Sequence, residues 1–254
     1  MNDVFANERF RSAFDPLVFL VALGVAWEAS VHLFDIKPYL FPALSDVFRV
    51  MWEHRWQMII EGGYTLLEVL VGFAFAVVGG VVIALLIFFF PTARRTLYPM
   101  ITTMQSIPKV ALAPVMVVWF GYGLSAKFVM AFLFAVFPII IATLGGLHGT
   151  PSNLVEHFQS LRASRWETIW RLRVPSALPS FMDGCKIAIP LAMIGAVVGE
   201  FIGSQNGLGY VILVSSSTAQ TDLMFAALIT IAVLSMVLFA IMELIGRIAW
   251  WRAV

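Results

Sequence analysis

Between residues 16 and 250 the chain offers six stretches that are long and apolar enough to cross a bilayer, and this more than anything limits what it can fold into. A spanning helix takes about 20 mostly apolar residues. Such stretches run from about Pro16 to Phe34, Gly62 to Phe90, Pro99 to Phe120, Ser125 to Leu147, Phe181 to Ile202 and Leu223 to Trp250. The second exceeds the minimum, so it is expected to tilt or project. The third holds Pro108 and Pro114, each expected to remove a helix hydrogen bond and bend the span. Composition agrees: 61% of residues are hydrophobic, 12% are charged and the mean hydropathy is +0.92. A soluble domain needs far more charge on its surface. The expected fold class is an all-α membrane protein with six transmembrane helices.

The formal net charge of +1 favours neither nucleic acid nor an acidic partner. Cys185 is the one cysteine, which excludes an intramolecular disulfide. No small-residue cleavage site follows the first apolar run, so that run is expected to be a retained helix. A short segment, residues 1–15, then precedes a single transmembrane domain, residues 16–254. With both termini inside, the cytoplasmic segments carry Arg9, Arg11, Arg94, Arg95, Arg162, Arg165, Arg171, Arg173, Arg247 and Arg252, against Lys37, Arg49, Arg55 and Lys127 outside. That asymmetry predicts cytoplasmic termini. Trp27, Trp119, Trp250 and Trp251 lie near span ends, where interfacial aromatics are expected.

Residues 149–179 form a long polar segment on the cytoplasmic side. Thr150 and Pro151 suit a helix start. Leu154, Phe158 and Leu161 then share one helical face. Ser164-Arg165-Trp166-Glu167 reads as a capping box, so a second helix is expected to begin there. Pro175 and Pro179 close the polar segment. The pattern predicts two short helices joined by a turn at the membrane surface. On pattern alone they are equally a helix pair resting on lipid.

The same segment resembles a known motif. Glu156-His157-Phe158-Gln159-Ser160-Leu161-Arg162-Ala163-Ser164-Arg165-Trp166, followed by Val174-Pro175 and Pro179, is similar to the EAA loop of ABC importer permeases of the nitrate, sulfonate and taurine type. The resemblance runs from about Phe41 to Ile212. It takes in Phe41-Pro42-Ala43-Leu44-Ser45-Asp46-Val47, the stretch from Ile107-Pro108-Lys109 to Ala113-Pro114 and on through Trp119-Phe120-Gly121-Tyr122-Gly123, then Glu200-Phe201-Ile202-Gly203 and Gly207-Leu208-Gly209-Tyr210. Two departures stand out. His157 and Phe158 replace small residues, and Arg162 replaces the family glycine, which allows a left-handed turn. A non-glycine residue in that conformation costs about 1–2 kcal/mol.

The resemblance implies a type I ABC importer permease, a translocation subunit in the bacterial cytoplasmic (inner) membrane. It implies as partners a second copy of the chain, two ATPase subunits, a periplasmic or lipid-anchored substrate-binding protein, and membrane lipid. No Walker A pattern occurs, so ATP and Mg are expected on the ATPase and no cofactor on this chain. The coupling residues it implies are Glu156, Phe158, Leu161, Arg162, Ala163, Ser164, Arg165 and Trp166, docked as an amphipathic helix in a cleft of the ATPase. The substrate it implies is a small anion of the sulfonate, nitrate or taurine class. Relatives that carry thiamine precursors, riboflavin-like heterocycles and aromatic acids provide the alternative.

Candidate pore or gate residues follow from charge and backbone. Lys109, beside Pro108, faces a hydrated path and attracts anions if the third span lines the pore. Otherwise it snorkels, or pairs with Glu68 or Glu200. Thr102, Thr103, Gln105 and Ser106 supply polar lining or interhelical hydrogen bonds. Glu200 is a gate residue or a tie for the glycine-rich stretch that follows it. In that stretch Gly203, Gly207 and Gly209 permit a tightly turned outer gate or a plain loop. Glu28 and Glu68 are expected to make interhelical pairs, and Gly79-Gly80 and Gly145-Gly146 to admit close helix packing. His32, His54, His148 and His157 lack metal-ligand spacing. A secondary transporter would call for an inverted repeat. A membrane enzyme would call for clustered catalytic groups at one depth. Neither pattern is present in the sequence, and no catalytic or metal residue is assigned.

Overall fold

The computed structural model describes the backbone from Asn2 to Trp250 and the side chains from Val18 to Ile248. The expected interfacial Trp250 and Trp251, the side chains of Arg9, Arg11 and Arg252, and those of residues 1–15 lie outside the described residues. Within them the chain is helical and contains no strand. In chain order the helices are α1 (Asn2–Leu33), α2 (Leu44–Glu53), α3 (Arg55–Phe89), α4 (Pro91–Gln105), α5 (Ala113–Phe120), α6 (Leu124–His148), α7 (Ser152–Ser160), α8 (Arg165–Thr168), α9 (Val174–Gly203), α10 (Leu208–Ser217) and α11 (Thr221–Trp250). A 3-10 turn, Lys109–Leu112, precedes α5, and a π-turn, Ile169–Arg173, joins α8 to α9.

Four described segments are long and apolar enough to cross a membrane: Arg55–Phe89, Leu124–His148, Arg165–Gly203 and Thr221–Ile248. A fifth crossing forms if Pro91–Gln105 and Lys109–Phe120 count as one broken span, and Val18–Leu33 is the described apolar part of the first expected span. The third expected span, about Pro99 to Phe120, is therefore not one bent helix. It is two pieces meeting at 96°. Pro108 is the residue before the 3-10 turn, and Pro114 lies in the first turn of α5. There a proline costs nothing, since its missing N–H would have had no partner. These prolines start elements rather than bend one, whereas Pro99 sits inside α4. The second cytoplasmic helix is not the short, separate one expected: it runs through the π-turn into α9, so that Arg165–Gly203 is continuous. Pro175 falls in the first turn of α9 and Pro179 inside it.

The chain comprises two compact units. One contains the chain up to Ile59 together with Val211–Ile229. In it Trp27 donates its indole N–H to Pro42 O (3.0 Å), and its ring lies 5.0 Å from Phe41 and 5.6 Å from Phe225. Glu28 accepts from the amide and hydroxyl of Ser45 in the first turn of α2 (3.1 and 2.7 Å), an interhelical tie.

The other unit, Ile60–Tyr210 with the chain from Thr230, is built on α6 against α9. Gly184, Ala188, Ala192 and Ala196 recur every fourth residue of α9 and make one small-residue stripe. All four are buried, as are Ala131 and Ala135 of α6. Without a water-driven hydrophobic effect between helices, such stripes allow the close approach that van der Waals attraction needs. Val69, Ala76, Ala84 and Ile87 of α3 and Leu238 of α11 complete this core. One member of each glycine pair is needed for packing: a Cβ on Gly80 would lie 2.8 Å from Ile139, and one on Gly146 would lie 2.9 Å from Ala177.

Candidate functional site

Two groups of candidate residues lie at opposite ends of α6 and α9. Helix α6 leads into the polar segment and α9 leads out of it, so their far ends, near Lys127 and Gly203, share the opposite side of the unit.

At the polar end, α7 has no buried residue. Its apolar face stays open: Leu161 is 67% exposed and Leu154 41%. The helix then stops on a Schellman motif. The Ala163 amide donates to Phe158 O (3.0 Å) and the Arg162 amide to Gln159 O (2.9 Å), with Arg162 at φ +55°. The left-handed conformation inferred for this position is thus present, occupied by arginine instead of glycine. Ser164 next caps α8 as expected: its Oγ accepts from the Glu167 amide, while the Glu167 carboxylate accepts from the Ser164 amide (2.9 Å). These bonds, the one from the Ser164 amide first, hold the Glu167 carboxyl below its ordinary value. Arg173 fastens the segment by donating to Leu147 O (3.0 Å) at the end of α6, where the helix dipole favours a cation. The Trp166 ring lies 5.5 Å from Phe89 yet stays 62% exposed. Glu156 is exposed. The arrangement is a capped and anchored projection that presents apolar and charged side chains together.

At the far end, the first amides of α10 are each satisfied by a side chain from another helix. The Gly207 amide donates to Glu61 (2.6 Å), the Leu208 amide to Thr65 Oγ1 (2.9 Å), and the Gly209 amide to Glu200 Oε2. Thr65 in turn donates to Glu200 Oε1 (2.7 Å). Glu200 therefore does tie the glycine-rich stretch down, from a fully buried position. Gly207 adopts φ +103°, and a Cβ on it or on Gly209 would strike the Glu200 carboxylate. Beside this cap the fully buried Glu68 meets Lys127 Nζ at 2.6 Å.

Lys127, counted among the outer cations, lies within the fourth expected span. It belongs to the first turn of α6 and is 4% exposed. Lys109 pairs with neither Glu68 nor Glu200; its Nζ lies 4.5 Å from the Phe137 ring centre and 5.6 Å from Phe134, a cation–π seat midway along α6. The candidate pore residues thus divide into two groups. Glu200, Gly207 and Gly209 form the cap. Thr102, Gln105, Ser106 and Pro108 are exposed around the break after α4, where the Thr102 and Thr103 hydroxyls donate back to Tyr98 O and Pro99 O. Glu61, Thr65 and Lys127 were missed as site residues. The available signal was the spacing of Glu61, Thr65 and Glu68, which places three polar residues on one face of an apolar helix.

A family profile for binding-protein-dependent transport system inner membrane components matches residues 76–249. The chain is 36% identical over 236 residues to a Haemophilus influenzae protein named "Probable ABC transporter permease protein", covering 92% of this chain and 96% of that one. It is 38% identical over 204 residues to the formylaminopyrimidine transport permease protein ThiX of Halalkalibacterium halodurans, covering 80% and 81%. Among solved structures, an inward-facing form of the MetNI methionine ABC transporter matches with a TM-score of 0.68 at 20% identity, covering 78% of this chain and 98% of that one. That likeness shows the fold.

Proposed function

The chain belongs to the family of binding-protein-dependent transport system inner membrane components, and from that premise we propose that two copies form the pore of an ATP-driven importer in the bacterial inner membrane, with both termini in the cytoplasm. A separate pair of ATPase subunits binds ATP and Mg, and a periplasmic or lipid-anchored binding protein delivers the substrate. This chain performs no chemistry. It converts closure of the ATPase pair into a change of pore access by rigid-body motion.

The observation that carries this reading is the projection from Ser152 to Arg173. It is capped at both turns, open along Leu154, Leu161 and Trp166, and continuous through Arg165–Gly203 with a membrane-crossing helix. Glu156, Phe158, Leu161, Arg162, Ala163, Ser164, Arg165 and Trp166 are the docking residues of the proposal. Glu156→Lys is expected to uncouple ATP hydrolysis from uptake while the protein still inserts. The measurement is uptake alongside co-purification of the ATPase, and undiminished uptake refutes the docking role. For the homodimer, cysteines placed on the third or fifth expected span should cross-link across the two-fold axis. Cross-links confined to the first span would refute it.

For the substrate, the anion reading follows from the resemblance to nitrate, sulfonate and taurine permeases, with Lys109 as its candidate pore cation. The aromatic seat of Lys109 gives its charge a partner without an anion. The second reading, a thiamine-precursor-like heterocycle, is favoured by the 38% identity to a permease named for formylaminopyrimidine. Binding of labelled pyrimidines and sulfonates to the partner binding protein distinguishes the two.

A further inference from the structure

The group beside the α10 cap does not balance its charge. Glu68 and Glu200 are both fully buried and their carboxyls lie against each other, while Lys127 is the one cation among the described residues that faces them. Glu61, also from α3, is occupied by the Gly207 amide at the edge of the group, and α10 contributes only amides. Two carboxylates and one ammonium would leave a net negative charge in a fully buried group, which is costly. The hydrogen bonds show where the imbalance sits. Both Glu200 oxygens accept, Glu68 Oε1 accepts from Lys127, and Glu68 Oε2 is buried without a partner. A buried carboxylate oxygen left bare is costly, whereas a carboxyl O–H there has an acceptor waiting, because each Glu200 oxygen has a second lone pair.

We propose that Glu68 and Glu200 bind a single proton between them, seated on Glu68 Oε2 and donated to Glu200, and that this proton completes the cap on α10. With it the group is neutral: one ammonium, one carboxylate, one carboxylic acid. Glu68 is then a positioning residue that acts on the glycine-rich stretch through Glu200. The proton has a route to water, since Lys127 also lines a cleft of about 560 Å³ with Tyr64, Tyr122 and Asn206 at this end of the unit. The group titrates as one unit, not as two independent acids.

Infrared spectra of the full chain in lipid nanodiscs, with and without carbon-13 glutamate, test this at neutral pH. The wild type should show the carbonyl stretch of a protonated carboxyl, moved by the label, and both Glu68→Gln and Glu200→Gln should abolish it. A wild-type spectrum without that band overturns the proposal, as does a band that survives both substitutions. Function supplies a second reading. Glu68→Gln keeps an N–H to donate to Glu200 and should retain folded protein and uptake, whereas Glu68→Ala should lose both. Equal damage from Gln and Ala overturns the proton-donor role.

Discussion

Helix α8 and helix α10 face the same problem, that the first amides of a helix have no carbonyl to bond. They solve it in opposite ways. At α8 the solution is local and wet: Ser164 and Glu167, three residues apart, satisfy each other in solvent. At α10 it is distant and largely buried, with Glu61, Thr65 and Glu200 brought in from other helices. The local cap holds its shape without neighbours, so the face around it stays free for another protein. The distant cap exists only when α3, α9 and α10 are in register, so it reports on the assembly of the bundle.

The strongest test of this contrast is Lys127→Met, which leaves two buried carboxyls without their cation. Breaking a buried pair from one side costs about 3–5 kcal/mol, so the variant should show a sharply lowered melting temperature in detergent and poor accumulation in membranes. Next comes Gly209→Ala, whose new Cβ meets Glu200 and its neighbours. Overpacking of this kind costs about 1–3 kcal/mol, and hydrogen exchange should rise along α10 while α7 and α8 are unchanged. A response spread equally over both ends would break the comparison.

Ser164→Ala is expected to cost about 1 kcal/mol, the usual worth of an N-cap, with faster exchange confined to the start of α8. The same cap predicts a pH dependence. A carboxyl held below its ordinary value in the folded segment adds stability above the ordinary carboxylate range, and that stability is lost as pH falls through the lowered value. Protection at Arg165–Thr168 should therefore fall on acidification in the wild type, and Ser164→Ala should flatten that fall. The smallest effect belongs to Arg162→Gly. Relief of the left-handed strain, less the extra freedom glycine gives the unfolded chain, leaves a net gain of roughly 0.5 kcal/mol. If Arg162 docks on the ATPase, co-purification should weaken in the same variant that becomes more stable.

The two ends also differ in how far the sequence reveals them. The capping box at Ser164 and the left-handed turn at Arg162 are short-range patterns, complete within a few residues, and both are present in the structure. The apolar runs give α3, α6 and α11 nearly whole. The Lys127–Glu68 pair joins residues 59 apart and the Thr65–Glu200 bond residues 135 apart. No spacing rule reaches that far, which is why Lys127 has a place in the charge tally but, from sequence alone, no partner. Pro114 is misread for a related reason: a proline in an apolar run looks like a kink until it is known whether a helix begins there.

The continuous run Arg165–Gly203 has a mechanical consequence. At about 1.5 Å per residue it amounts to nearly 60 Å of contour, with Trp166 at one end and Glu200 three residues from the other. If the projection docks on the ATPase as proposed, this run is a lever whose handle is the projection and whose tip holds the cap on α10. A hydrogen-bonded helix stretches little, so torque applied at the handle arrives at the tip as displacement rather than being absorbed on the way. On that proposal the fulcrum is the π-turn at Ile169–Arg173, which the Arg173–Leu147 bond pins to the end of α6.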